Sequence, residues 1–270
     1  MKPLQITMKF FSLPRLPRHA RWLLPALVLG AQVFSSPAVL AQSAPVPVTA
    51  LIHKNPYKFV GQLTFRSGRG EYIGSATVIK PYSLLTAGHN LYSQGVGWSS
   101  DMAFMRSYNN GYYSSRSTGS QLFVLGGYSS LVDRGRSESN GGFARDMGGV
   151  VCFSRPADGA SAKWQAKTKL LTGKSYNMSL GYGAVVHSGE ELLRSSPTKS
   201  FFKVTGSFYE NNSYGIEAGM SGGPVFAKKD GLWYVCAVNV SGPAGAVFNR
   251  GAGVRAIDDD SANLIRNKLK

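Results

Sequence analysis

The chain has 270 residues, with 30 lysines and arginines against 14 acids and a formal charge of +16, long enough for one large core or two small ones. Its basic residues are scattered and carry no nucleic-acid-binding motif, so the charge describes a basic surface that favours acidic partners. Two distant cysteines without a His-x-x-x-His pair cannot build a zinc site, and no phosphate-cradling loop joins a strand to a helix.

Residues 1–41 hold Lys2, Lys9, Arg15, Arg18 and Arg21 and no acid. A mostly apolar run from Trp22 to Phe34 and the small-residue end Val39-Leu40-Ala41 follow. This is the pattern of an export signal cut after Ala41. The run is short and holds Pro25, which argues against a membrane anchor. Residues 42–50, with Ala44-Pro45-Val46-Pro47-Val48, read as an extended linker or short propeptide.

Residues 51–153 then give short apolar stretches at Phe59–Phe65, Tyr72–Ile79, Ser83–Thr86, Met102–Arg106, Gln121–Gly126 and Gly149–Phe153. Glycine, asparagine and serine punctuate them. Two polar insertions interrupt the series, 107–120 with an Asn110-Gly111 turn signal and 127–142. Residues 154–168 form a charged, Ala-rich crossover. The second half, 169–270, repeats the rhythm at Leu170–Leu171, Tyr176–Tyr182, Ala184–Val186, Phe201–Tyr209, Pro224–Ala227, Trp233–Val240 and Ala246–Asn249. Short strands with turn signals and no helical period predict an all-β barrel protein. Only the end differs. Asp258-Asp259-Asp260 precedes a segment closing on Lys268 and Lys270, with Ile257, Leu264, Ile265 and Leu269 on one side, which predicts a helix.

Chemistry concentrates at Gly219-Met220-Ser221-Gly222-Gly223-Pro224. A serine among glycines is open to close approach by a ligand, but its hydroxyl needs a base. No histidine follows Ser221, which excludes the nucleophile-elbow order of Ser, Asp, His. No aspartate precedes Asp101, which excludes Asp, His, Ser unless His187 serves, and His187 lies in no supporting motif. The remaining order is His, Asp, Ser. His89 ends the apolar stretch Leu84-Leu85-Thr86-Ala87-Gly88 and is the candidate base. His53 and His187 read as solvated side chains. Asp101, Asp133, Asp146 and Asp158 lie between His89 and Ser221. Asp146 is preferred because it opens Met147-Gly148-Gly149-Val150-Val151, a loop turning into a strand.

Thr86-Ala87-Gly88-His89, Asp146 before its strand and the Gly-x-Ser-Gly-Gly-Pro motif at Ser221 together resemble the trypsin-like, chymotrypsin-fold serine proteases. The bacterial branch that includes the glutamyl endopeptidases is the nearest in pattern. The resemblance implies two six-stranded antiparallel β-barrels with a C-terminal α-helix, and spans most of the chain after the leader. It implies Ser221 as nucleophile, His89 as general base then acid, and Asp146 as the group that orients the ring. The backbone N–H groups of Gly219 and Ser221 would form the oxyanion hole, and Gly215, Ile216, Asn239, Ser241 and Gly242 would line the substrate pocket. No cofactor or metal is implied. The partner would be a protein or peptide substrate, with no nucleic acid and no membrane after signal cleavage. A monomeric protein, secreted or periplasmic in a bacterium, is the expected setting. The contrasting expectation is a catalytically inactive binding module or adhesin on the same fold.

Three departures from the family pattern qualify these expectations. Met220 stands where animal digestive enzymes carry an aspartate that pairs with a freed amino terminus, so activation here is expected not to use that pair. Asn239 replaces the histidine of glutamyl endopeptidases, Ile216 replaces their small hydroxyl residue, and Gly215 leaves no acid for a Lys or Arg side chain. A neutral substrate side chain is therefore expected. Cys152 and Cys236 fall in apolar strands of different halves and are expected as buried free thiols.

Overall fold

The computed structural model describes residues 44–197, 199–213, 215–242 and 252–270. The leader and the expected strand Ala246–Asn249 lie outside them. No helix among the described residues is long and apolar enough to cross a membrane.

Six strands close a barrel in the order Val60–Ser67, Gly70–Lys80, Ser83–Thr86, Gly148–Cys152, Ser115–Val124 and Ser100–Arg106. The first two pair from Val60↔Thr77 to Ser67↔Gly70 across a two-residue turn. Leu63, Phe65, Ala76, Val78, Leu84, Met102, Phe104 and Val150 fill the interior. Each large side chain withdrawn from water there contributes roughly 1.5–3 kcal/mol. At the tip of the 107–120 insertion, Asn110 and Gly111 both take positive φ (46° and 87°), the pairing a tight hairpin turn needs. The 127–142 insertion holds two short helices, Tyr128–Asp133 and Asn140–Phe143.

The second half is an eight-stranded antiparallel sheet. Its order is Val46–Pro47, Leu192–Ser195, Asn177–Tyr182, Pro224–Lys229, Leu232–Ser241, Ala252–Ala256, Phe208–Asn211, Phe202–Thr205. The stretch at 42–50, expected as a linker, docks here: Val46 and Pro47 pair with Arg194 and Leu193, and Val48 is buried.

Three expected strands differ. Leu170 and Leu171 lie in a helical turn, Lys169–Thr172, with both side chains buried. Phe201–Tyr209 is split into a hairpin at Gly206, whose φ is +50°. Ala184–Val186 is a loop, for a reason that belongs to the site below.

The C-terminal helix spans Asp259–Asn267 and is capped by Asp258, which accepts the Ser261 N–H while Ser261 reciprocates. Ile257, Leu264, Ile265 and Leu269 are buried as their spacing requires. Lys80 Nζ donates to the carbonyls of Arg266 and Leu269, and Ser83 Oγ to that of Lys270. The helix thereby latches the end of the second half onto the first barrel. A joint core also unites the halves, with Val60, Ile79, Leu85 and Met147 packed among Leu180, Tyr182, Phe208, Phe226 and Val238.

Candidate active site

His89 sits in a single helical turn, Gly88–Asn90, directly after the strand Ser83–Thr86. Asp146 precedes the neighbouring strand Gly148–Cys152, which pairs with it from Thr86↔Gly148 to Ser83↔Val151. Adjacent strand ends thus bring two residues 57 apart in sequence together. Asp146 Oδ2 lies 2.7 Å from His89 Nδ1, and Oδ1 accepts the His89 backbone N–H at 2.8 Å. Asp146 is buried, and its double attachment fixes the ring with Nδ1 as donor, leaving Nε2 without a hydrogen-bond partner among the described residues. The other acids are engaged elsewhere. Asp101 pairs with Arg66 at 3.4 Å, Asp133 accepts from Tyr92, and Asp158 pairs with Arg106 at 3.1 Å.

The Asp146 loop is itself held from the second half. The buried Arg255 donates to the Ala144 carbonyl at 3.2 Å and makes a two-pronged pair with Asp258 at 2.8 and 2.9 Å. Arg145 pairs with Asp260 at 2.6 Å.

Ser221 occupies a turn between the loop at 215–218 and the strand Pro224–Lys229. Gly219 and Gly222 take φ of +94° and +81°, where a side chain is strained. A Cβ at Gly222 would also fall 2.0 Å from Thr86 Oγ1. That absent side chain is what lets the turn press against the His89 strand. The Ser221 carbonyl accepts from Ser75 N at 2.8 Å and from Asn90 Nδ2 at 3.1 Å, so the residue following His89 grips the nucleophile candidate's own backbone. Ser221 Oγ makes no hydrogen bond among the described residues, a common state for such a pair without substrate.

Ser75 stitches the cleft. Its hydroxyl donates to the Gly219 carbonyl and accepts from Tyr182 N, both at 2.8 Å, while its carbonyl accepts from Thr86 Oγ1 at 2.8 Å. Ser75→Ala would leave a buried N–H and a buried carbonyl unpartnered. It is expected to destabilise the protein by about 1–3 kcal/mol, read as a lower denaturant midpoint at unchanged slope.

Met220 N donates to the Glu217 carbonyl, Gly222 N to that of Asn239 and Gly223 N to that of Met220. The N–H groups of Gly219 and Ser221 take no acceptor among the described residues. The Met220 side chain is fully buried in an apolar cluster with Leu171, Leu193, Ile216 and Val225.

Around the expected pocket, Gly215 accepts from Ser195 Oγ at 2.6 Å, and Ile216 packs beneath Gly242. Asn239 is fully buried. Its Oδ1 accepts from Ser179 Oγ, and its Nδ2 faces the carbonyls of Leu180 and Met220 at 3.2 Å. Its amide is thereby bonded to the Ser221 turn through the Met220 carbonyl. Ser241 is half-buried and Gly242 exposed at the strand end.

Charge around His89 has a definite sign. Partial withdrawal from water disfavours the imidazolium, but the Asp146 charge and hydrogen bond, with a smaller contribution from Glu138, outweigh it, and the histidine pKa is raised. Burial, then the Asp146 charge, push the adjacent Tyr128 phenol up far beyond its ordinary range.

His187 corrects the sequence reading. It is not a free surface side chain: Nδ1 lies 2.5 Å from Oε1 of the buried Glu217, while the imidazole itself stays 22 % exposed. The sequence does not mark Ser75, Asn90 and Glu217, because the bonds that tie them to the Ser221 turn and to loop 183–187 span 30 to 144 residues. Local signals did exist: Asn90 follows His89 directly, and Glu217 is the only charge in the stretch 215–224.

Cys152 and Cys236 are free and buried. Burial pushes the Cys152 thiol up to about 12 and raises that of Cys236 as well, which disfavours the reactive thiolate at both. No group of three or more His, Cys, Asp or Glu that could hold a metal occurs among the described residues.

The closed barrel, the second antiparallel sheet and the terminal helix make up the chymotrypsin-like fold. Three proteases are among the solved structures that share it. A Glu endopeptidase aligns with a TM-score of 0.66 at 16% identity, over 85% of this chain and 98% of its own. The thermostable serine protease AL20 from an extremophilic microorganism aligns at 0.63 and 16%, over 77% and 94%. The protease Anisep from Arthrobacter nicotinovorans aligns at 0.62 and 20%, over 78% and 95%. No protein-family model and no curated protein matches the sequence.

Proposed function

We propose that the protein is a secreted serine endopeptidase that cleaves peptide bonds through an acyl-enzyme. The observation that carries this reading is the buried Asp146 bonded twice to His89, next to a turn whose Ser221 carbonyl is held by Asn90. Ser221 Oγ attacks the carbonyl carbon as His89 Nε2 takes its proton, and the imidazolium is stabilised by Asp146. His89 then returns that proton to the leaving amine. Water attacks the acyl-enzyme by the same route in reverse, with His89 again as base. The Gly219 and Ser221 N–H groups, not spent on protein acceptors, suit the developing oxyanion.

Met220 in an apolar cluster supports an activation that does not draw on a charged amino terminus. The Asn239 amide is already committed, and Gly215 and Ile216 bring no charge, which supports a neutral substrate side chain. The leader at 1–41 supports export.

The test is digestion of reduced, alkylated casein. Peptides that accumulate with wild type and stop on adding a fluorophosphonate support the reading. Casein bound but uncut would favour an inactive binding module.

A further inference from the structure

Behind the oxyanion donors lies a buried acid that the triad does not use. Glu217 is 3 % exposed and sits two residues before Gly219. Its Oε2 accepts the N–H groups of Val185 and Val186 at 3.2 and 2.7 Å, and its Oε1 faces His187 Nδ1. The loop 183–189 therefore folds around one carboxylate. Gly183 makes room for it, since a Cβ there would fall 2.1 Å from Glu217 Cδ. The loop is also anchored away from Glu217: Gly189 N donates to the Gly183 carbonyl, and Gln62 Nε2 from the first barrel donates to that of Gly189 at 2.8 Å.

This wrapped loop is the wall against which the oxyanion turn rests. Ala184 N donates to the Ala218 carbonyl at 2.7 Å, and Met220 N to that of Glu217 at 3.0 Å. A Cβ on Gly219 would fall 2.4 Å from the Tyr182 carbonyl and 2.9 Å from Ala184 N. The Ala218–Gly219 peptide is thus registered against Ala184, and the Glu217 side chain holds the residues that follow, 185–187. The position that could anchor the turn by charge, 220, holds a buried methionine instead.

We infer that Glu217 and His187 are positioning residues for the oxyanion hole. Their pair, a buried carboxylate bonded to a half-buried imidazole, locks loop 183–187 behind Gly219, so that the Gly219 and Ser221 N–H groups converge without an amino-terminal ion pair. The inference rests on the serine-endopeptidase reading and adds to it the device that keeps the hole formed. Neither side chain touches substrate. Both act through the backbone of 217–219.

The test uses the full-length protein with Glu217→Ala, His187→Ala and His187→Asn. Turnover is measured on a p-nitrophenyl ester and on its thionoester analogue, alongside thermal unfolding. Sulfur is a weak hydrogen-bond acceptor, so the ester-to-thionoester ratio reports the hole rather than general fitness. Glu217→Ala and His187→Ala are expected to lower kcat on the ester by about 10²-fold, the scale of a misplaced reacting geometry. KM is expected to stay within about twofold, and the ratio to fall. Asparagine at 187 can place its amide N–H where Nδ1 stands, so His187→Asn is expected to retain most of kcat and the ratio. If Glu217→Ala does not fold, the two His187 variants decide, because that side chain lies at the loop surface and leaves the buried carboxylate two backbone donors.

Folded variants with unchanged kcat and ratio would overturn the inference, as would His187→Asn as damaged as His187→Ala. In both cases an active wild type leaves the functional reading standing. A wild type that hydrolyses neither ester nor casein overturns that reading and this inference with it.

Discussion

Ser221→Ala is expected to lower kcat on a peptide substrate by about 10⁶-fold, with His89→Ala costing about as much and the double variant little more. The non-additivity is the informative part. A serine hydroxyl without its base, or an imidazole without its hydroxyl, contributes almost nothing to the chemical step. Residual catalysis of about 10³-fold over water should survive, because the Gly219 and Ser221 N–H groups and substrate binding persist without the side chain. KM should change little. Steady-state kinetics on the three variants check this. Losses that add between Ser221 and His89 would mean that the two do not act as one unit.

Asp146→Asn is expected to cost about 10⁴-fold. Asparagine matches the carboxylate in shape, so Oδ1 can still accept the His89 backbone N–H now bonded at 2.8 Å. Its Nδ2 then faces Nδ1, and two donors cannot pair. The ring must shift its proton to Nε2, the atom that has to accept from Ser221.

The pH profile carries the same logic with a sign. In the proposed mechanism His89 acts as a base only when neutral, so kcat/KM is expected to rise as pH climbs through its pKa. In the wild type the Asp146 charge and hydrogen bond outweigh burial and raise that pKa. The acid limb should therefore inflect above the ordinary value of about 6.5. Removing the carboxylate leaves burial, which acts in the opposite direction, so the limb of Asp146→Asn should move to lower pH. A limb that stays in place or moves up would separate Asp146 from His89 in function.

Much of this site is legible in one dimension because its parts sit at strand ends. The apolar run ending in Thr86-Ala87-Gly88 delivers His89, and the strand Ser83–Thr86 has the bounds its composition suggests. Asp146 is marked by the same polar-to-apolar change, and Ser221 by the glycines whose positive φ its turn requires. The terminal helix is legible from Asp258 and its apolar side.

What the sequence hides is the destination of long-range polar groups. Ala184, Val185 and Val186 have the composition of a strand, yet the N–H groups of Val185 and Val186 go to a carboxylate 31 or more residues away. A strand there would need those donors for a ladder. Ser75 and Asn239 look like ordinary strand residues and become structural because each meets the nucleophile turn. Leu170 and Leu171 read equally well as strand or helical turn, since two apolar residues define no period.

The most direct measurement is fluorophosphonate labelling of the intact protein at neutral pH, followed by peptide mapping on wild type and Ser221→Ala. One adduct, on Ser221, absent from the alanine variant and formed more slowly as pH falls through the His89 limb, is the result predicted here. A folded wild type that takes no adduct, or carries it on another residue, would contradict the assignment of Ser221, His89 and Asp146 as a working triad.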